Sequence, residues 1–268
     1  MGTGVTQSLA VAGHDVVLVD LDDRILERAR EQIALSCRMS RLTGGPSVDV
    51  EDAMSHIDVS TDTGALAKVE IVIENIVEDW STKSRLYPEL DQICASECVF
   101  VPNTSAIPIT RLASLTRRPD RVVGVHFMNP VPMKPAVELI PGHHASPDSV
   151  QRVRDLLDSI GKKAIEVSDA CGFVSNRVLM LTVNEAAFLV HEGVASAEDV
   201  DTVFRECFGH PMGPLETADL IGIDTILLSI EVLYDHFADS KYRPCPLLRR
   251  MVDAGLLGRK SHAGFYQH

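Results

Sequence analysis

The chain has 268 residues, 45% of them hydrophobic, and carries a formal net charge of −13. This length builds one large domain or two smaller ones with real cores. The acidity argues against a nucleic-acid or anionic-membrane surface, both of which need basic patches, and the short, interrupted apolar stretches argue against a membrane span. Near the N-terminus a helical pattern over residues 5–12 closes on Gly13, and a β-rich run over 15–20 ends on Asp20. A helix follows from residue 22 to about residue 39. Further strands are predicted at 56–60, 69–73, 98–101, 121–127, 137–140 and 164–167, with helical stretches between several of them, notably 80–95 and 149–160. Strand alternating with helix implies an α/β fold with a doubly wound, mostly parallel sheet.

Helices dominate after Asp169. A long amphipathic helix runs from 171 to about 192, and a second over 196–207 opens on a Ser-x-x-Asp cap. The chain breaks at Gly209-His-Pro-Met-Gly-Pro214 and resumes a helix over 215–220. The reading is a domain of residues 1–168 followed by an all-helical domain of 169–268. The first residues lack the basic, apolar, small-residue pattern of a signal peptide. The six cysteines (Cys37, Cys94, Cys98, Cys171, Cys207, Cys245) are scattered, and Cys94-x-x-x-Cys98 has no His or Cys cluster beside it. That pattern argues for free thiols in a reducing cytoplasm and for no metal site.

Two features carry chemistry. Asp20 ends the second strand expected of a dinucleotide-binding fold, where an acidic side chain accepts hydrogen bonds from adenosine ribose hydroxyls and repels a 2′-phosphate. NAD is therefore favoured over NADP, although an exposed loop aspartate reads the same on spacing alone. The segment His126-Phe-Met-Asn-Pro-Val-Pro-Met-Lys-Pro-Ala-Val-Glu138 puts a histidine at the end of one apolar run and a glutamate on the next, with a proline-rich turn between. A carboxylate on one imidazole nitrogen sets the tautomer, and the other nitrogen is left to take a proton. Most isolated His–Glu pairs are ordinary salt bridges.

The string around His126 resembles the catalytic signature of the 3-hydroxyacyl-CoA dehydrogenase family, and other motifs resemble that family in the same order along nearly the whole chain. Glu74-Asn-Ile-Val-Glu78 with Lys83 is similar to its E-A-I-V-E…K, Asn103-Thr-Ser105 to its N-T-S-S, and Cys171-Gly-Phe-Val-Ser-Asn-Arg177 to its P-G-F-I-x-N-R. Gly209–Pro214 and Gly258–Tyr266 resemble its G-x-P-M-G-P and G-x-K-x-G-x-G-F-Y, with His262 in place of a small residue and Ala106 in place of the second serine. The resemblance implies a Rossmann-type NAD domain, a helical domain for substrate and dimerisation, a homodimer, and reversible oxidation of a (3S)-3-hydroxyacyl thioester. It implies that His126, Glu138, Ser105 and Asn176 are catalytic, with Ser105 and Asn176 holding the substrate oxygen. It also implies that Gly2, Thr3, Asp20, Glu78, Lys83, Asn103, Asn129 and Lys260 serve the cofactor.

Departures from the family concern the two ligands. The chain opens at Met1-Gly2-Thr3-Gly4, on the last part of the family's glycine string, so the first strand and first two glycines are expected to be missing. An upstream start is the expected explanation; a shortened protein with weakened NAD binding is the alternative. Arg38 and Arg41 are the candidate phosphate contacts for the substrate's handle, and a solvated helix face fits them equally well. Pro135 stands where the family has leucine, which alters the local backbone. The substrate is then an acyl-CoA, or a short hydroxyacyl unit on an acyl carrier protein. A free hydroxy-acid dehydrogenase and a non-catalytic relative are the remaining readings.

Overall fold

Helix α1 (Gly2–Val11) begins three residues before the predicted start and leads into strand β1 (Val16–Val19) through Gly13, whose φ of +82° suits glycine. In the computed structural model, residues 1–40 and 48–268 are described. They form two units, Met1–Ala170 and Cys171–His268. In the first unit the chain continues as α2 (Asp23–Ser40), α3 (Val50–Ser55), β2 (Ile57–Ser60), β3 (Ile71–Glu74), α4 (Trp80–Ile93), β4 (Val99–Pro102) and α5 (Ile109–Ala113). It ends with β5 (Val123–His126), β6 (Ala136–Pro141), α6 (Pro147–Ser159) and β7 (Lys163–Glu166). Short helices α3 and α5 escape a sequence reading because one or two turns show too little periodicity. Helix α6 starts two residues earlier than predicted, because Ser146 caps it through Ser149 N at 3.1 Å and Pro147 occupies its first position.

Strands β1 and β2 pair in parallel, as do β3 and β4, and a parallel bridge between Phe100 and Val122 links β4 to β5. Strands β6 and β7 are also parallel. The exception is β5 with β6, and its cause is local. A parallel crossover needs a dozen or more residues, whereas residues 127–135 separate the two strands. The return is therefore antiparallel, in a register that puts His126 opposite Glu138. Among the described residues no strand pairs with the second side of β1 or of β3, so the sheet is interrupted between them. The interruption falls where the expected fold has its first strand.

Buried Val99, Val101, Val123, Val125, Val137 and Leu139 form the centre of this unit's core. Helix α1 covers it with Val5 and Leu9, and α6 with Val153 and Leu157. Gly124 is the tightest point: a Cβ there would lie 2.6 Å from Ile109 Cγ1 and closer still to Cδ1.

The second unit is built mainly of helices: α7 (Ser175–His191), α8 (Ala197–Thr202), α9 (Pro214–Ile221), α10 (Ile223–Phe237) and α11 (Pro246–Asp253). The predicted helix over 196–207 is α8 followed by a π turn at Val203–Cys207. Buried Met180, Val183 and Ala187 of α7 face Ile223, Ile226, Ile230 and Leu233 of α10, spacings that form one helical stripe each. Two buried carboxylates tie the last residues to this bundle. Asp219 accepts from Phe265 N, Tyr266 N and His268 Nε2, each at 2.9 Å, and Asp201 accepts from Tyr266 Oη at 2.7 Å and Leu215 N at 2.9 Å. His262 has a φ of +61°, a left-handed conformation that glycine enters without a Cβ penalty.

Candidate active site

Cross-strand pairing brings His126 and Glu138 together. Directly opposed residues of an antiparallel pair share one face with Cβ atoms about 5 Å apart, so the His126 and Glu138 side chains must meet. His126 Nδ1 lies 2.8 Å from Glu138 Oε2, and both residues are buried, at 8% and 5% exposure. An ionised carboxylate only accepts, which places the proton on Nδ1 and makes Nε2 the acceptor. Ser105 Oγ lies 3.0 Å from Nε2. The result is a three-residue line, Glu138–His126–Ser105, carried by the interior of β6, the end of β5 and the loop after β4.

Glu78 holds that loop. Its Oε1 accepts from Ser105 N and Ala106 N at 3.1 Å, from Ile107 N at 3.4 Å, and from the Thr104 hydroxyl. Three successive amides on one oxygen form an anion nest, filled here by the protein's own carboxylate. Ala106 keeps the backbone contact but supplies no hydroxyl. Behind Glu78 lies Lys83, whose ammonium is fully enclosed and bonded to both Glu74 oxygens at 2.8 and 2.7 Å, with Glu78 Oε2 at 3.6 Å. The family resemblance has Lys83 line the nicotinamide end of the cofactor together with Glu78. In the structure α4 turns its side chain inward, so that its ammonium lies behind Glu78. Burial pushes the Glu74 carboxyl above its ordinary range, and Lys83 pulls it only part of the way back. Tyr87 Oη completes the cluster at 3.2 Å from Glu74. Asn103 ties the strand ends together, donating to Asn75 Oδ1 at 2.7 Å and accepting from Phe127 N at 3.1 Å.

Other predicted residues lie around the N-terminus of α1. No side chain caps that end, which carries Gly2 and Thr3 in its first turn. An uncapped helix N-terminus is suited to phosphate. Asp20 follows β1, and its Oδ1 accepts from Leu21 N at 2.7 Å. These features fit a dinucleotide with a free 2′-hydroxyl. A cavity of ≈ 340 Å³ opens beside the α1 N-terminus, lined by Met1, Thr3, Gly4, residues 129–133, and Gln32 and Ser36 of α2. Sequence reasoning passes over Gln32 and Ser36, which have no charge to mark them. Arg38 is exposed near the end of α2, and Arg41 lies outside the described residues. In the second unit, Asn176 lies in the first turn of α7, and Lys260 Nζ lies 2.6 Å from Asp224 Oδ2.

Comparison with known proteins agrees over the full length. Residues 1–170 match the family model described as 3-hydroxyacyl-CoA dehydrogenase, NAD binding domain, and residues 172–268 match the C-terminal domain of the same enzyme family. The probable 3-hydroxybutyryl-CoA dehydrogenase of Bacillus subtilis is 43% identical over 272 residues, covering 100% of this chain and 94% of that protein. The 3-hydroxybutyryl-CoA dehydrogenase of Clostridioides difficile is 40% identical over 271 residues, covering 100% and 96%. The crystal structure of (S)-3-hydroxybutyryl-CoA dehydrogenase PaaH1 from Ralstonia eutropha superposes with a TM-score of 0.95 at 41% identity, covering 100% of this chain and 95% of that one. Matched from residue 1 to residue 268, the chain belongs to the 3-hydroxyacyl-CoA dehydrogenase family and is an NAD-dependent oxidoreductase.

Proposed function

We propose that the protein interconverts (3S)-3-hydroxybutyryl-CoA, or a similarly short hydroxyacyl-CoA, and its 3-oxoacyl counterpart. The observation that carries this reading is the Glu138–His126–Ser105 line, with Nδ1 held by a carboxylate at 2.8 Å and Nε2 3.0 Å from a hydroxyl. His126 Nε2 takes the proton of the C3 hydroxyl in the oxidative direction and returns it in reduction. Glu138 keeps Nδ1 protonated and stabilises the imidazolium. Ser105, aimed by the Glu78-held loop, hydrogen-bonds the same oxygen. NAD would supply the hydride acceptor. Gly2 and Thr3 would hold its phosphates, Asp20 its adenosine ribose, and Glu78, Asn103 and Asn129 its nicotinamide end, with Lys83 behind Glu78. The roles of Asn176 and Lys260 rest on the resemblance alone. CoA as the carrier is supported by the names of the relatives, and Gln32 and Ser36 join Arg38 as its candidate contacts.

The test is absorbance at 340 nm with NAD and the 3-hydroxybutyryl thioester of CoA or of an acyl carrier protein. Turnover of the CoA ester is expected, and turnover of the carrier-protein ester alone would reassign the carrier. His126→Ala should lower kcat by about 10²–10⁴-fold, and near-native turnover of that variant would overturn the mechanism. A homodimer in a cytoplasmic setting completes the proposal. Exposed Val178, Leu220 and Leu228 are available for a second copy, and all six cysteines are free thiols. Light scattering that returns a monomer would refute the dimer.

A further inference from the structure

Lys162 is a buried cation that the proton-transfer chemistry does not use. It follows the αL residue Gly161 at the end of α6 and is 5% exposed. Its ammonium donates to Val131 O at 2.6 Å and Lys134 O at 2.7 Å, with Pro132 O at 3.5 Å. All its partners are carbonyls, and burial pulls its pKa below the ordinary lysine range with no carboxylate to offset it. A buried charge of this kind is costly, so the contacts it makes should matter to the fold around it.

Those carbonyls belong to the turn between β5 and β6. Pro130, Pro132 and Pro135 have no N–H to donate, so the turn closes itself with only two backbone bonds, Met133 N to Pro130 O at 3.1 Å and Lys134 N to Val131 O at 3.3 Å. An ammonium with three donors supplies what the prolines lack. The same turn lines the ≈ 340 Å³ cavity together with Gln32 and Ser36 of α2 and the first turn of α1, while Val131 packs into the core beneath. Both neighbouring strands are fixed by their ladders, so His126 and Glu138 keep their pairing whether or not the turn is held.

From this geometry we infer that Lys162 is a positioning residue for substrate affinity, holding the 131–134 turn as the wall against which the thioester's carrier arm lies. The inference rests on the proposed dehydrogenase reading, and wild-type turnover checks that reading first. Lys162→Met keeps the length and apolar stem but leaves the carbonyls unpaired, a loss of the size that changes affinity about tenfold. The expected result is a KM for 3-hydroxybutyryl-CoA raised about tenfold with kcat within about threefold, and restoration of most of the KM by Lys162→Arg, which keeps charge and donors. Calorimetric binding of 3-oxobutyryl-CoA without NAD should weaken by the same factor. Circular dichroism checks the fold. If Lys162→Met is unfolded, Lys162→Gln, with two donors and no charge, is read by the same criteria. Unchanged KM and unchanged binding, or a fall confined to kcat, would overturn the inference while leaving the dehydrogenase reading intact.

Discussion

Replacing Glu138 by Gln isolates the charge of the His–Glu pair from its geometry. The glutamine carbonyl can still accept from His126 Nδ1 at 2.8 Å, so the tautomer is kept while the anion is lost. With neutral imidazole in the ground state, little changes. In the transition state the imidazole gains charge about 4 Å from the former carboxylate, where a unit pair at an effective dielectric of 20 is worth about 4 kcal/mol. Half-completed proton transfer halves this to about 2 kcal/mol, or about thirtyfold in kcat. The assay is steady-state oxidation of 3-hydroxybutyryl-CoA followed at 340 nm, with thermal melting to confirm the fold. A folded Glu138→Gln enzyme with kcat within threefold of wild type, or with its whole defect in KM, would refute the assignment of Glu138 to the imidazolium.

Other perturbations test the packing and the cofactor site. Gly124→Ala should cost about 1–3 kcal/mol through collision with buried Ile109, and Ile109→Val, which removes the closest methyl, should recover part of that loss in urea unfolding. At Asp91, burial pushes the carboxyl up, but Arg117 and Arg118 outweigh it and leave the group below its ordinary value of 3.8. Its stabilisation is therefore complete above that value and lost as pH falls through the lower folded one. Asp91→Asn should destabilise by about 3 kcal/mol near neutrality, with a gap that stays flat down to about pH 5 and narrows below it. A gap that widens on acidification would contradict the sign. Asp20→Ser should weaken NAD binding and narrow the preference over NADP; an unchanged preference measured by fluorescence titration would remove Asp20 from the ribose.

Much of the candidate active site is legible in the residue order, for a reason that resides in the turn. Nine residues with three prolines cannot make a parallel crossover, so the strands ending at His126 and leading to Glu138 have to return antiparallel and pair their side chains. The alternation of strand and helix, and an acidic residue at the end of β1, are equally local signals. The loop residue Ser105 is found by motif, but its grip by Glu78 joins segments 27 residues apart, which no periodicity records.

Residue order alone carries most of the strand–helix alternation, the mostly parallel sheet, the helical second half and the meeting of His126 with Glu138. Each of these follows from short-range patterns of apolar spacing and chain reach. Tertiary structure alone decided that Lys83 turns inward to Glu74, that Lys162 supplies the donors a proline-rich turn lacks, and that uncharged Gln32 and Ser36 face the cavity. These outcomes depend on which distant backbone and side chains occupy the space around each group. Burial, which decides whether a lysine meets ligand, water or a carbonyl, is a property of the packed chain and not of the residue.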